Sequence, residues 1–217
     1  MAMLDDAVDR YALDHTTALD PALGAVAAAT TRDMPYPGMM GGLVEVRLLQ
    51  MLAAATDARR VLEIGTFTGF TALALAAVLP RDGRVITIER DPELAAIARD
   101  NIARSRDAPK IELMIGDARE IIPSLDGPFD VVWIDAWKPD YPRYYDAVVP
   151  KLAPRGVAVA DNVLRGGTVA TGAPDGEDQA DRLTDIRAFN DHVNADPRTV
   201  NALLTVADGL MVIWRAP

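Results

Sequence analysis

The chain has 217 residues, half of them apolar, and a net charge of −10 from 22 basic and 32 acidic residues. That size suits one α/β domain with a full core, and the charge gives no footprint for a nucleic acid backbone or an anionic membrane. The sequence has no cysteine, which excludes disulfides, zinc–thiolate sites and thiol nucleophiles and fits a cytoplasmic protein.

The opening residues, Met1 to Asp6, are acidic and do not read as a signal peptide. Residues up to about 29 read as one or two helices, with Asp20-Pro21 marking a fresh start. Met34-Pro35-Tyr36-Pro37-Gly38 is a turn-rich connector. Leu43, Val46, Leu49 and Leu52 recur at helical spacing, predicting a helix over 43–55. From Val61 onward, strand and helix patterns alternate, which predicts a parallel sheet with helices on both faces. The strand runs are 61–62, 85–88, 131–134 and 157–160; the helix runs are 71–79, 92–105, 118–122 and 141–152. The longest nearly apolar stretch, 70–79, is too short to cross a bilayer. Residues 165–182 are rich in Gly, Thr, Asp and Pro and read as a long irregular loop, the kind that carries function or moves. A helix over 183–193 and a hairpin of strands 200–206 and 210–214 around Asp208-Gly209 close the chain. One domain is expected over 1–217, with 1–55 a helical lid and 61–217 the core.

Four polar groups stand at the ends of the strand runs: Glu63 to Gly69, Glu89, Asp135 to Lys138, and Asp161-Asn162. Ligands of open α/β sheets bind past the carboxyl ends of the strands, so these distant groups should meet. The pattern Glu63-x-Gly65-x-x-x-Gly69 turns a strand into a helix. A dinucleotide fingerprint would carry a glycine where Thr66-Phe67-Thr68 stands, and the acid Glu63 suits a cationic or amino-bearing ligand better than a diphosphate. A ligand-free tight turn explains the same glycines. Glu89 lies about 24 residues past Gly65, near the spacing of an acid that accepts a ribose diol. That feature does not separate nicotinamide from sulfonium cofactors. Asp135, Asp161 and Asn162 make a hard, all-oxygen donor set that favours Mg²⁺, with Ca²⁺ and Mn²⁺ the other candidates. Each of the three alone is equally a turn former or a cap. Lys138, beside such an ion, would serve as a base, and Trp137 would stack on a flat heterocycle or join the core.

Taken together, the chain resembles the class I S-adenosylmethionine-dependent O-methyltransferases. Within them it is most similar to the cation-dependent subfamily of animal catechol O-methyltransferase, plant caffeoyl-coenzyme A O-methyltransferase and small bacterial relatives. The motifs are Val-Leu-Glu-Ile-Gly-Thr-Phe-Thr-Gly-Phe-Thr (61–71), Ile-Thr-Ile-Glu-Arg-Asp (86–91), Gly-Asp-Ala (116–118), Ile-Asp-Ala-Trp-Lys (134–138), Ala-Asp-Asn-Val (160–163) and Asp-Gly-Leu (208–210). The resemblance implies a Rossmann-like methyltransferase fold: a mostly parallel seven-stranded sheet with one antiparallel strand and helices on both faces. It implies metal ligands at Asp135, Asp161 and Asn162 and a catalytic base at Lys138, with Asp135 beside it. S-adenosylmethionine would lie against Met39, Glu63, Gly65, Phe67, Gly69 and Thr71, then Glu89, Asp117, Ala118, Asp135 and Trp137. The departures are Val46, where many relatives have glycine, Ala202, where the animal enzyme places an acid near the acceptor, and the 165–182 loop, longer than in the animal enzyme and similar to bacterial members; substrate choice is expected there and near Tyr36-Pro37. The expected reaction is Mg²⁺-dependent O-methylation of a small vicinal diol, by a homodimer that needs no membrane or nucleic acid. The rivals are a hydroxyacyl acceptor on a carrier protein or coenzyme A, a nicotinamide-dependent reductase, and a non-catalytic binding module. The reductase lacks its Tyr-x-x-x-Lys pair, because Tyr141 is followed by Tyr145.

Overall fold

The computed structural model describes residues 6–172 and 177–216. Three helices open the chain: α1 (Asp6–Asp14), α2 (Pro21–Asp33) and α3 (Leu43–Ala55). Then come β1 (Arg60–Ile64), α4 (Phe70–Val78), β2 (Arg84–Glu89), α5 (Pro92–Ala103), β3 (Ile111–Ile115), α6 (Ala118–Ser124) and β4 (Phe129–Ile134). The rest is α7 (Tyr141–Val148), β5 (Leu152–Ala160), α8 (Thr168–Thr171), α9 (Glu177–Ala195), β6 (Thr199–Leu204) and β7 (Leu210–Arg215).

The seven strands pair in the order β3-β2-β1-β4-β5-β7-β6. All pairs are parallel except those of β7, which runs antiparallel to β5 and to β6. The last strand therefore enters between β5 and β6 and is joined to β6 by the hairpin around Asp208-Gly209. The order reverses between β1 and β4, and the carboxyl ends of those two strands open a crevice there.

Alternation along the inner strands divides the core. Leu62, Ile64, Val132 and Ile134 face α6, α7 and α9, where Tyr141, Tyr145 and Phe189 are fully buried. Val61, Val85, Val131 and Trp133 face α3 and α4. Helix α4 is buried on every side from Phe70 to Ala76. Its alanines let it lie against both the sheet and α3, and a helix apolar all round belongs inside. Asp20, Asp91 and Asp117 cap α2, α5 and α6 with their carboxylates.

Several boundaries differ from the sequence expectation. The predicted helix 141–152 ends at Val148, because Pro150 turns the chain through a short 3₁₀ segment into a long β5. Strand β3 has no counterpart in the runs read from sequence. It is a half-buried edge strand whose central Leu113 and Met114 are both only partly covered, so it lacks a continuous apolar signature. The stretch expected to be irregular is shorter than 165–182: α8 lies within it, and α9 starts at Glu177, six residues before the predicted helix. Residues 173–176 of that stretch lie outside the described residues.

Pro37–Ala55 has the length and apolar composition of a bilayer span, so 70–79 is not the longest such segment. Its backbone breaks after a 3₁₀ turn at Pro37–Met39, leaving the 13-residue α3. At about 1.5 Å per residue that helix is roughly 20 Å long, short of a ~30 Å hydrocarbon layer. Its Val46, Leu49 and Ala53 are buried in the protein.

Candidate active site

The strand ends are brought level by hydrogen bonds that continue the ladder one residue past the strands. Gly65 N–H donates to Ile88 O (3.0 Å), Asp135 N–H to Ile64 O (2.9 Å) and Asp161 N–H to Ile134 O (3.0 Å). Gly116 N–H likewise donates to Glu89 O (2.8 Å). Four polar segments thus face one cavity of about 1120 Å³. That is more than a typical single-ligand pocket of about 300–1,000 Å³ and leaves room for a nucleoside and an acceptor side by side.

Gly65 is required twice over. Its φ is +98°, and a Cβ there would fall 2.0 Å from the Asp135 carbonyl oxygen. The bend of β1 and the end of β4 can touch only because that side chain is missing. Gly69 has φ +84° and starts α4. A Cβ there would meet Ala98 and Ile102 at ordinary contact distance, so this glycine serves the turn. Between them Thr66 and Thr68 turn their hydroxyls inward. Thr66 Oγ1 pairs with Thr87 Oγ1 (2.5 Å), and Thr68 Oγ1 pairs with Thr30 Oγ1 on α2 (2.9 Å). Phe67 takes a left-handed φ of 51° and its N–H donates to Glu89 Oε2 (2.8 Å).

Glu89 also accepts from Asp91 N–H at 2.9 Å through Oε1. Each oxygen keeps a further lone pair, which is what a diol needs. Glu63 lies deeper. It sits in register between Thr87 on β2 and Trp133 on β4 and is fully buried. Its Oε2 accepts from the Thr87 hydroxyl, while Oε1 has no partner among the described residues. Burial pushes its pKa up to about 8, with the nearby carboxylates of Asp135 and Glu89 adding to the shift. Asp117 caps α6 and holds Arg119, whose hydrogen bonds bring its pKa down to about 2. Ala118 is buried beside it, and Thr71, Met39 and Trp137 also line the cavity, the last two as half-exposed rim residues.

At the other half of the cavity, Lys138 Nζ donates to Asp135 Oδ1 and to Tyr141 OH, each at 2.8 Å. Tyr141 OH in turn lies 3.1 Å from Ile134 O and 3.2 Å from Asp161 O. The lysine is thereby anchored to the ends of both β4 and β5. Asp161 Oδ1 accepts from Asn162 N–H (2.6 Å), and Asn162 is left-handed at φ 59°. Burial pushes the Asp161 carboxyl well above its ordinary range, and the charges of Asp135 and Glu45 push the same way.

Residues 14–216 match the family model of O-methyltransferases. The chain belongs to the O-methyltransferase family. It is an enzyme that places methyl groups on oxygen. It is similar to the catechol O-methyltransferase of Mycobacterium tuberculosis, at 38% identity over 186 residues covering 85% of this chain and 83% of that one. Tricin synthase 1 of Oryza sativa subsp. japonica is 32% identical over 223 residues, covering 97% and 88%. Among solved structures, the O-methyltransferase TomG of Streptomyces achromogenes, in complex with SAM, superposes with a TM-score of 0.84 at 32% identity, covering 97% and 96%. A Bacillus cereus O-methyltransferase in complex with SAH gives 0.84 at 30% identity, covering 97% of each chain.

In this O-methyltransferase most residues expected from sequence line one cavity; Glu63 lies behind its wall and Gly69 beside it. Asp135, Asp161 and Asn162 share a wall, and their oxygens are the hard donors a divalent ion takes. Among the described residues no three acidic or histidine side chains make a ready ion site as they stand. Sequence reasoning missed Glu45. It lies on α3, is buried, accepts from Gly42 N–H and stands near the Asp161 carboxyl, close enough for each charge to act on the other. Its only trace in sequence is its place three residues after Gly42, which reads as a helix cap. Tyr141 was weighed only for a reductase pair; its position one turn after Lys138 is the signal that it holds the lysine.

Proposed function

We propose that this enzyme methylates one hydroxyl of a small vicinal aromatic diol, using S-adenosylmethionine and a divalent cation, with Mg²⁺ first among candidates. The observation that carries the reading is Lys138, whose amine is fixed between Asp135 and Tyr141 on the cavity wall that also carries Asp161 and Asn162. The cofactor would be held by Glu89 at its ribose, by the Gly65 bend along its methionine part, and by Asp117, Ala118 and Trp137 at its base. Asp135, Asp161 and Asn162 would hold the cation. When bound, these groups supply an electrophilic methyl and a positive charge that favours the ionised acceptor.

The chain's own residues do the rest. As the neutral amine, Lys138 Nζ has two N–H donors, which Asp135 and Tyr141 take, so its lone pair is the position that can meet an acceptor hydroxyl and take its proton. Tyr141 and Asp135 keep that amine from swinging away. Holding two reactants in line supplies roughly 7–11 kcal/mol of such a barrier. Helices α1 to α3 act as a lid in this reading, supported by Asp9 of α1 and Glu45 of α3 on the cavity wall.

The test is a mass-spectrometric methyl-transfer screen with Mg²⁺ against catechols, caffeoyl and anthranilate-type acids. Lys138→Ala should lower kcat by about 10²–10⁴-fold while leaving cofactor affinity nearly unchanged. A wild-type kcat in that variant would remove the base.

A further inference from the structure

The acceptor half of the cavity is strongly acidic. Glu45, Asp135, Asp161 and Asp208 all line it. Two cations stand among them, Lys138 and Arg165, and Lys138 is committed to Asp135 and Tyr141. Arg165 lines the same wall, and its guanidinium has no hydrogen-bond or ion-pair partner among the described residues.

Its backbone is the opposite of free. Leu164 N–H and Arg165 N–H both donate to Asp208 O, at 2.8 and 3.0 Å. Arg165 O accepts from Thr168 Oγ1 at 2.7 Å and from Thr168 N–H at 3.2 Å. The Asp208-Gly209 turn presses on this segment so closely that a Cβ on Gly209 would meet Leu164 at 2.6 Å. Within this clamp Arg165 is left-handed, at φ 45°. The next two positions, also left-handed, are glycines, as such backbone favours. An arginine held in a strained conformation beside a cavity, when glycine serves its neighbours, is kept for its side chain.

The geometry points to Arg165 as the residue that selects acceptors carrying a carboxylate, so that the preferred substrate is an aromatic diol acid rather than a neutral catechol. This deepens the function proposed above and rests on it. A guanidinium pairs with a carboxylate through two parallel hydrogen bonds. Arg165 follows Asn162 by three residues, and three residues span at most about 11 Å. Within that limit the long arginine side chain can meet the acid at one end of an aromatic ring whose diol lies at the Asn162 end.

The experiment compares 3,4-dihydroxybenzoate with 4-methylcatechol, which share the diol and differ in charge, in wild type, Arg165→Asn and Arg165→Lys. Asparagine tolerates the left-handed backbone, so the fold is kept. Wild type should favour the acid, and the acid-to-neutral ratio of kcat/KM should fall at least about tenfold in the asparagine variant and partly recover in the lysine variant. An unchanged ratio, or a parallel loss on both substrates, would overturn the assignment. Calorimetry on protein loaded with S-adenosylhomocysteine and Mg²⁺ reads the same preference without turnover: the asparagine variant should bind 3,4-dihydroxybenzoate at least about tenfold more weakly. Equal affinity in both proteins also overturns it. If neither diol is methylated, the proposed reaction fails, and the calorimetric comparison still decides Arg165.

Discussion

Glu63 shows how much one buried side chain can say. The sequence reading sets it against the cofactor; the fold places it under the bend, on the α3 and α4 face of the sheet. A carboxyl group fully out of water with one unpartnered oxygen favours its neutral form, which explains a pKa near 8 against an ordinary 4.5. The folded state therefore holds a proton that the unfolded chain has released. Its contribution to stability is full below about pH 4.5 and is lost as pH rises through about 8. Glu63→Gln keeps the shape and removes the titration. Thermal unfolding from pH 5 to 8 should show wild type losing stability more steeply than the variant, which should be the more stable of the two at pH 8. Parallel curves would mean the carboxyl ionises freely in the folded protein.

At the scale of elements, the site is a contact between strand ends, and Gly65 is what permits it. Gly65→Ala would add a Cβ 2.0 Å from the Asp135 carbonyl and force a left-handed φ on alanine. Either the β1 bend or the β4 end must shift. We expect a loss of at least about 3 kcal/mol in urea unfolding, at the severe end for a single substitution. Gly69→Ala meets only ordinary contacts and bears the φ penalty alone, so its loss should be smaller. The Gly-x-x-x-Gly motif was plain in the sequence; that one glycine answers to a strand some 70 residues away was not. Strand β3 escaped notice because an edge strand is half covered and carries no continuous apolar run. Helix α9 was read six residues short because its first turns are acidic and polar.

For the molecule as a whole, the acid-rich wall makes a prediction about ions. Chelated, dialysed protein should lose turnover, and Mg²⁺ should restore it. A saturating ion should also raise the unfolding temperature by roughly 5 °C, the shift expected when a ligand binds the folded state at many times its dissociation constant. Full activity after chelation would end the metal reading. Residues 61 to 162 carried most of the site in the open, because a parallel strand is a short apolar run and its ligand groups follow at once. The antiparallel last strand follows from the same kind of local pattern, the closing hairpin, whereas the reversal between β1 and β4 is a property of the folded sheet. What the sequence alone determined is therefore the chemistry at each strand end. Which groups share that edge was settled only by tertiary structure. Glu45 reaches Asp161 from a helix more than a hundred residues earlier, Tyr141 fixes Lys138, and the β6–β7 turn clamps Arg165 in a left-handed backbone. Those contacts depend on how helices and turns dock against the sheet, and docking is decided by packing over the whole core, which leaves no local pattern to read.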